Sequence, residues 1–131
     1  MERLIIYTDG ASHGNPGPAS IGVAIKDGLG RTVFSLSQPI GRTTNNQAEY
    51  RAVIAALEMA LKMGATNVEL RSDSELIVRQ VNNQYRVKEP SLKPRYDRVK
   101  QLQRQFHSFN IVYIPREQNE EANRLAAMAL K

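Results

Sequence analysis

The sequence predicts an α/β domain in which helices cover a mixed β-sheet. Three segments of strand-like composition follow one another at the start of the chain, and helical and strand-like segments alternate after them. This order is typical of a mixed sheet packed against helices. With 131 residues the chain is long enough for one hydrophobic core, so we expect a single domain over residues 1–131.

The first three predicted strands are short segments rich in β-branched and aromatic residues. The first, RLIIYT, ends near Asp9 and is followed by the turn-rich loop GASHGNPGP. The second and third, SIGVAIK and TVFSLSQ, are joined by DGLGR, whose glycines indicate a hairpin.

The first predicted helix extends from Asn46 to Met63, because apolar residues recur there at helical spacing and Gly64 ends the pattern. Two prolines, Pro90 and Pro94, precede a later helix. In chain order, the remaining segments are the strand NVELRS, the helices SELIVRQVN and RYDRVKQLQRQF, the strand FNIVYI and the helix EQNEEANRLAAMAL.

Composition excludes several classes of protein. The chain has no cysteine, which excludes a disulfide scaffold, a thiolate metal site and a cysteine nucleophile. No run approaches the ~18 apolar residues that span a bilayer, and MERLIIYTDG does not have the form of a signal peptide, so we expect a cytoplasmic protein. The 18 basic residues exceed the 13 acidic ones, an excess that fits a polyanionic partner and fits a solvated basic surface equally well.

Three acidic residues stand where the predicted fold would bring them together. Asp9 lies at the end of the first strand, Asp73 at the end of the fourth, and Glu49 in the first turn of the long helix. Glu49 shares a helix face with Val53 and Ala56, the face that should pack on the sheet. If the first and fourth strands are neighbours, the carboxylates converge, and three such oxygen ligands suit Mg²⁺ or Mn²⁺.

Each carboxylate also has a purely structural interpretation. Asp9 before a glycine is a common turn residue, Asp73 could cap the following helix, and Glu49 could interact with its own helix dipole. These interpretations leave unexplained the amide-rich TTNNQ before Glu49 and the HGNPG after Asp9. A shared site accounts for all of these features, so we favour it.

Four blocks contain most of the candidate site residues: YTDGASHGNPGPASIG, TTNNQAEYRAVIAALE, SDSELIVRQVN and IPREQNEEANRLAAMAL. In this order and spacing they resemble the signature blocks of type 1 ribonuclease H, from Tyr7 to Leu130, and most closely those of its short bacterial and archaeal branch. The resemblance implies a five-stranded mixed sheet with helices on both faces. Its first three strands would be antiparallel, and the fourth and fifth parallel to the first.

The resemblance also implies an activity: cleavage of the RNA strand of RNA/DNA hybrids, leaving 5′-phosphate and 3′-hydroxyl ends. Two Mg²⁺ ions, for which Mn²⁺ can substitute, would be held by Asp9, Glu49, Asp73 and the residue at position 123. Asp9 would bind both ions, and Glu49 and Asp73 the ion at the leaving group. The implied protein is a monomer whose partner is RNA/DNA hybrid, with double-stranded RNA as a second possible partner. No membrane contact is expected.

Six residues are implied to contact the hybrid: Gly10, Asn15, Thr44, Asn45, Asn46 and Gln47. The amides of Asn45 and Asn46 can both donate to and accept from a 2′-hydroxyl in the minor groove, which distinguishes RNA from DNA. Asn15 and Thr44 match positions that bind a phosphate of the DNA strand, and Gly10 would let the backbone approach the RNA. Alternatively, or in addition, Asn46 would be the N-cap of the first predicted helix.

At the fourth carboxylate position the chain carries an amide. The family pattern A-D-x-L-A reads ANRLA at residues 122–126, with Asn123 in place of the aspartate. An amide oxygen can bind a metal ion, but the site loses one negative charge, so we expect this chain to bind hybrid and to cut it slowly. Glu120 or Glu121 is the nearest alternative ligand. The sequence is compatible with a natural asparagine and with an introduced one, and the conservative surroundings favour the second.

Two further family features are altered. The loop before the last helix, YIPREQNEE, has no histidine, which leaves Arg116 or Glu117 to replace the mobile histidine of many members. His13 lies in the loop after the first strand, from which it could approach the hybrid, but we expect a merely exposed loop residue. The chain has no tryptophan, and its candidates for phosphate contacts, unless they only form a solvated face, are Arg86, Lys88, Lys93, Arg95, Arg98, Lys100 and Arg104.

Two functions therefore stand open at the level of sequence. One is a metal-dependent hybrid nuclease; the other is a non-catalytic module that binds hybrid or double-stranded RNA and has kept only the fold. The three carboxylates, together with the complete TTNNQ cluster, favour the nuclease, because a binding module has no physical use for clustered like charges.

Overall fold

One mixed sheet organises residues 3–131, the part of the chain that the computed structural model describes. In these residues five strands lie in the order β3-β2-β1-β4-β5. β1 pairs with β2 and β2 with β3 in antiparallel fashion, whereas β4 runs parallel to both β1 and β5. The strands are β1 Arg3–Ser12, β2 Gly17–Lys26, β3 Thr32–Thr43, β4 Asn67–Ser72 and β5 Ser108–Tyr113.

Four α-helices connect and follow these strands in the described residues, and a single 3₁₀ turn, Arg116–Gln118, precedes the last of them. The helices are α1 Asn45–Lys62, α2 Glu75–Val81, α3 Lys93–Gln103 and α4 Glu120–Met128. None of them is long and apolar enough to cross a membrane. The helix and strand types match the sequence-based predictions throughout.

Two glycines in paired strands show that helices cover both faces of the sheet. A Cβ on Gly10 would lie 2.2 Å from the carbonyl carbon of Ala48 in α1, and a Cβ on Gly22 would lie 2.2 Å from the carbonyl oxygen of Ala122 in α4. Gly22 pairs with Asp9, the neighbour of Gly10, and neighbouring residues of a strand face opposite sides. α1 and α4 therefore pack on opposite faces, which confirms the predicted architecture.

The hydrophobic core lies mainly between the sheet and α1, α2 and α3. Alternate residues of β1, Leu4 and Ile6, are fully buried there with Val53 and Leu57 of α1. α1 can approach the sheet closely because its packing face carries alanines as well as larger residues. This packing gives α1 a single orientation on the sheet, and that orientation determines where its N-terminal residues lie.

Two boundaries differ from the sequence prediction in ways that affect the site. β1 does not end near Asp9 but continues to Ser12, because its antiparallel pairing with β2 persists to Ser12–Ala19. α1 begins at Asn45, with Thr44 as its N-cap, so the alternative role of Asn46 as the cap is wrong.

Candidate active site

Asp9 and Asp73 lie side by side because two strands separate at this point. The parallel ladder between β1 and β4 ends at Thr8 and Ser72, and each aspartate is the next residue along its chain. Asp9 is inside a strand, so it is not a turn residue. The N-cap of α2 is Ser74, whose hydroxyl accepts from the Ile77 N–H at 3.4 Å, so Asp73 is not a cap either.

Glu49 reaches the two aspartates from α1. Because this helix starts at Asn45, its first turn contains no acidic residue and Glu49 lies beyond it, not within it as predicted. The absent side chain of Gly10 lets α1 lie directly on β1, and the Gly10 N–H donates to Glu49 Oε1 at 2.9 Å. The space beside Gly10 is thus filled by α1 backbone.

The three carboxylates form one cluster. Asp9, Glu49 and Asp73 each offer an oxygen within 4.8 Å of the others, as the sequence predicted. Burial, followed by repulsion from Asp73, raises the pKa of Asp9 from 3.8 to about 7. Burial, followed by repulsion from both aspartates, raises the pKa of Glu49 well above its usual value. Positive charge from Arg116 partly offsets both effects.

Asn123 completes this group from α4. Its Nδ2 donates to the carbonyl oxygen of Arg116 at 3.3 Å, while its Oδ1 is buried and has no hydrogen-bond partner among the described residues. Oδ2 of Asp73 is likewise buried and has no hydrogen-bond partner among the described residues. A buried acceptor without a donor lowers the stability of the folded protein. Carboxylates that raise one another's pKa values would be stabilised in their charged forms by a bound cation.

These features fit a divalent metal ion. The available donors are all oxygens, which are the ligands that Mg²⁺ and Mn²⁺ prefer. Asp9, Glu49 and Asp73 could hold such an ion, and Asn123 lines the same cavity. The cavity has a volume of about 410 Å³, and we call it the acidic cavity; its charged lining residues are Asp9, Glu49, Asp73 and Arg116.

The six predicted substrate-contacting residues differ in how far they are already engaged. Oδ1 of Asn45 accepts from the backbone N–H and hydroxyl of Ser12 at 2.8 and 2.9 Å, and Oδ1 of Asn15 accepts from the Asn45 N–H at 3.0 Å. The Thr44 hydroxyl caps α1 by accepting from the Gln47 N–H at 3.2 Å.

Asn46 is the free amide of this cluster. Its side chain makes no hydrogen bond within residues 3–131, it is exposed, and with Asn45 it lines the acidic cavity. Gly10 also lines this cavity, whereas Asn15, Thr44 and Gln47 lie outside its lining. The two asparagines that the sequence presents as equivalent therefore stand in different situations.

Comparison with known proteins identifies the family. A family model described as "Reverse transcriptase-like" matches residues 7–129. The curated "Ribonuclease HI" of Halobacterium salinarum is 44% identical over 128 residues, which is 98% of this chain and 64% of that protein. The chain belongs to the type 1 ribonuclease H family.

Solved ribonuclease H structures share the whole fold. The crystal structure of RNase H1 from Halobacterium salinarum superposes with a TM-score of 0.95 at 44% identity, covering 98% of this chain and 97% of that one. LC11-RNase H1, from compost, was solved in complex with RNA/DNA hybrid; its TM-score is 0.91 at 46% identity, covering 96% and 95%. This chain spans about two thirds of the curated archaeal relative and about a third of curated mycobacterial relatives.

The structure separates the candidates for the missing ribonuclease H histidine. Arg116 lines the acidic cavity, whereas Glu117 lines a different one with Lys26 and Tyr7. Glu120 and Glu121 line that second cavity too, and Glu121 pairs with Lys26 at 3.1 Å, so neither is placed as an alternative to Asn123.

The structure adds information about two further residues at the candidate site. His13 is exposed, as expected, yet it lines the acidic cavity beside Asn45. Asn119, which the sequence analysis did not single out, is fully buried between β1 and α4. The sequence signal for Asn119 was its position four residues before Asn123, one helical turn away, but its partner in β1 is far along the chain.

Proposed function

We propose that this chain is a metal-dependent endonuclease that cleaves the RNA strand of RNA/DNA hybrids to 5′-phosphate and 3′-hydroxyl ends. The observation that carries the proposal is the convergence of Asp9, Glu49 and Asp73 within 4.8 Å, in a cavity that Asn45 and Asn46 also line. A solved relative at 46% identity is bound to such a hybrid. The same fold would act as one ribonuclease H domain over residues 1–131.

Two Mg²⁺ ions, or Mn²⁺ in their place, would supply activation of the attacking water and charge stabilisation at the leaving 3′ oxygen. By the family resemblance, Asp9 would serve both ions, Glu49 and Asp73 the ion at the leaving group, and Asn123 the ion that activates water. The chain itself orients these groups: the Gly10 N–H holds Glu49, and the Arg116 carbonyl accepts from the Asn123 amide, which leaves the amide oxygen without a partner.

Recognition of the hybrid would begin at Asn46. Its unengaged amide can donate to and accept from a 2′-hydroxyl in the minor groove, which a DNA duplex lacks. Asn45 has only its Nδ2 available, because Ser12 occupies its oxygen. Asn15, Thr44 and Gln47 support these residues from outside the cavity and would contact the DNA strand and the groove edge.

Arg116 is the residue that we assign to the role of the missing histidine. It is exposed, it lines the acidic cavity, and its charge acts on both Asp9 and Glu49. A permanent cation cannot shuttle protons as histidine does, so its contribution would be electrostatic, to the scissile phosphate or to release of the product phosphate.

A second function is favoured by one specific observation. With Asn123 the site carries one negative charge fewer than the family pattern, which weakens metal binding and water activation. The hybrid-reading surface, by which we mean Asn45 and Asn46, is not altered by this change. The chain would then act chiefly as a binding module for hybrid or double-stranded RNA. Cleavage measurements on the unaltered protein separate the two functions.

Single-turnover cleavage of an end-labelled RNA/DNA duplex in Mg²⁺ and in Mn²⁺ tests the proposal. We expect slow, metal-dependent cutting of the RNA strand, and no cutting of double-stranded DNA. Asp9→Asn should abolish it, whereas Glu58→Gln, which removes a carboxylate from an exposed ion pair on α1, should not. Hybrid binding in Ca²⁺ without any cleavage in Mg²⁺ or Mn²⁺ would instead establish the binding module.

A further inference from the structure

Asn119 is a fully buried polar residue that does not do what its position suggests. It occupies the N-cap of α4, where an asparagine side chain usually accepts from the first backbone N–H groups of its own helix. Here it makes no such hydrogen bond. Its Nδ2 instead donates to the carbonyl oxygen of Thr8 at 2.9 Å, across 111 positions of sequence.

This hydrogen bond connects two residues that lie next to ligands of the acidic cavity without lining it themselves. Thr8 immediately precedes Asp9 and is the last residue of β1 paired with β4. On the other side, the Asn119 carbonyl oxygen accepts from the Asn123 N–H at 3.0 Å. Asn119 thus lies one hydrogen bond from the residue before Asp9 and one hydrogen bond from Asn123.

The rest of α4 is attached to the sheet independently. The Ser37 hydroxyl donates to the Leu125 carbonyl at 2.5 Å, and the Ser20 hydroxyl donates to the Ala126 carbonyl at 2.6 Å. Gly22 admits the helix backbone into close contact with β2. The packing of α4 therefore does not depend on Asn119, whose side chain holds only the N-cap residue of the helix against β1.

The placement of Asn119 is also costly. Its Oδ1 is buried without a hydrogen-bond partner among residues 3–131, and an unpaired buried acceptor lowers the stability of the folded protein. An apolar residue would avoid that cost and forfeit only the bond to Thr8. Sites that break such local rules are commonly those where function depends on the geometry.

We propose that Asn119 is a positioning residue that fixes the separation between Asp9 and Asn123, and through it the affinity of the acidic cavity for divalent metal ions. The metal-affinity part stands on geometry; the effect on cleavage rests on the proposed nuclease function. Residues that orient metal ligands change metal affinity by about 10–100-fold when they are replaced. Displacement of a reacting group by about 1 Å can cost about 100-fold in rate.

The test compares Asn119→Ala with Ser37→Ala. Both variants remove one hydrogen bond that anchors α4, the first at its N-cap and the second in its C-terminal half, and Ser37 lies outside the lining of the acidic cavity. Mn²⁺ affinity of the nucleic-acid-free protein is measured by electron paramagnetic resonance. We expect Asn119→Ala to weaken it about tenfold and Ser37→Ala to change it less than twofold, although both lower the melting temperature.

Single-turnover cleavage gives a second, separable measurement. Asn119→Ala should raise the Mg²⁺ concentration at half-maximal rate and lower the maximal rate at least about tenfold. Hybrid affinity in Ca²⁺ should stay within about twofold, because the hybrid-reading surface is unchanged. If Asn119→Ala does not fold, Asn119→Ser, which retains a donor but is too short to reach Thr8 unchanged, replaces it.

Equal Mn²⁺ affinities for the parent and Asn119→Ala would overturn the inference, as would equal losses in the Asn119 and Ser37 variants. The failure of the proposed function is recognisable by itself, since the parent protein would then cut no hybrid in Mg²⁺ or Mn²⁺. In that case the Mn²⁺ comparison still decides whether Asn119 positions the ligands.

Discussion

The acidic cavity and the exposed face of α3 are both crowded with charge, but only one of them is electrostatically complete. On α3, Lys93 pairs with Asp97 at 2.7 Å, Arg98 pairs with Glu58 at 3.0 Å, and Tyr96 lies under the ammonium groups of Lys93 and Lys100. In the acidic cavity, by contrast, carboxylates face one another and buried acceptors have no donor.

Cavity size would have pointed to the wrong region. The cavity on α3 is larger, about 680 Å³ against about 410 Å³, yet three of its charged groups, Lys93, Asp97 and Lys100, already have partners in the free protein. A ligand gains most where it supplies what the protein lacks; the acidic cavity has one arginine against three carboxylates, and two of its buried acceptors have no donor. We therefore expect chemistry and specificity to depend on the acidic cavity and α3 to make small, salt-sensitive contributions.

The largest expected effect comes from restoring the missing charge. Asn123→Asp should raise the single-turnover rate of hybrid cleavage in Mg²⁺ by at least ~100-fold, the low end for a key electrostatic group. Hybrid affinity in Ca²⁺ should change little. The Asn123 amide nitrogen lies 3.3 Å from the Arg116 carbonyl oxygen, and a carboxylate oxygen in its place would be repelled by that carbonyl. A bound metal ion must offset this repulsion, so the gain in rate requires metal. Equal rates for the two proteins would mean that the amide oxygen already suffices.

The next effect concerns the stability of the metal-free protein. The pKa of the Asp9 carboxyl is raised from 3.8 to about 7 in the folded state. Its contribution to the stability of the folded protein is therefore fully present below pH ~4 and is lost as the pH rises through 7. In EDTA, Asp9→Asn should remove this loss. At pH 7.5 the variant should be more stable than the parent by roughly 1–3 kcal/mol, given ~1.4 kcal/mol for each tenfold change in proton affinity.

Urea unfolding between pH 4.5 and 8 measures this difference. The parent should lose stability across that range more steeply than Asp9→Asn, and Mg²⁺ should restore the parent at pH 7.5 more than the variant. Parallel pH profiles for the two proteins would show that the carboxylates do not repel one another as the geometry implies. Glu75→Gln, a change at an exposed carboxylate paired with Arg79, provides the control for altered net charge.

Replacing each of the two asparagines of α1 by alanine should have different effects. Asn46→Ala should weaken hybrid binding in Ca²⁺ about tenfold, as expected for one lost hydrogen-bonding group, and leave double-stranded DNA binding nearly unchanged. Asn45→Ala should also weaken hybrid binding, and in addition lower the melting temperature because it releases Ser12. If both duplexes lose affinity equally, Asn46 contacts phosphate and does not read the 2′-hydroxyl.

The smallest expected effect lies on α3. Lys93→Ala removes a charge that Asp97 already neutralises, so hybrid affinity should fall by less than about threefold. The dependence of log affinity on log salt should become shallower by less than one, the value expected for a full phosphate contact. A tenfold loss would show that this ion pair opens to bind the nucleic acid, and would erase the contrast between the two regions.

Much of the fold could be predicted because its signals are local. Alternating β-branched residues, helical spacing of apolar residues and turn glycines indicated each strand and helix with the correct type. The errors fell where pairing between distant segments overrides local composition. The turn-like residues after Asp9 are strand because β2 pairs with them, and Thr44 rather than Asn46 caps α1 because the helix starts one residue earlier.

The carboxylates of the candidate site were also predictable, since Asp9 and Asp73 each follow a strand and Glu49 lies on the packing face of α1. A sequence records which groups are present and their spacing along one element, which is sufficient for ligands at the ends of adjacent strands. It carries no record of which atoms find partners. Only the packing of segments far apart in the chain decided that Asn46 stays free while Asn45 is engaged, that Asp73 and Asn123 keep unpaired oxygens, and that Asn119 reaches Thr8.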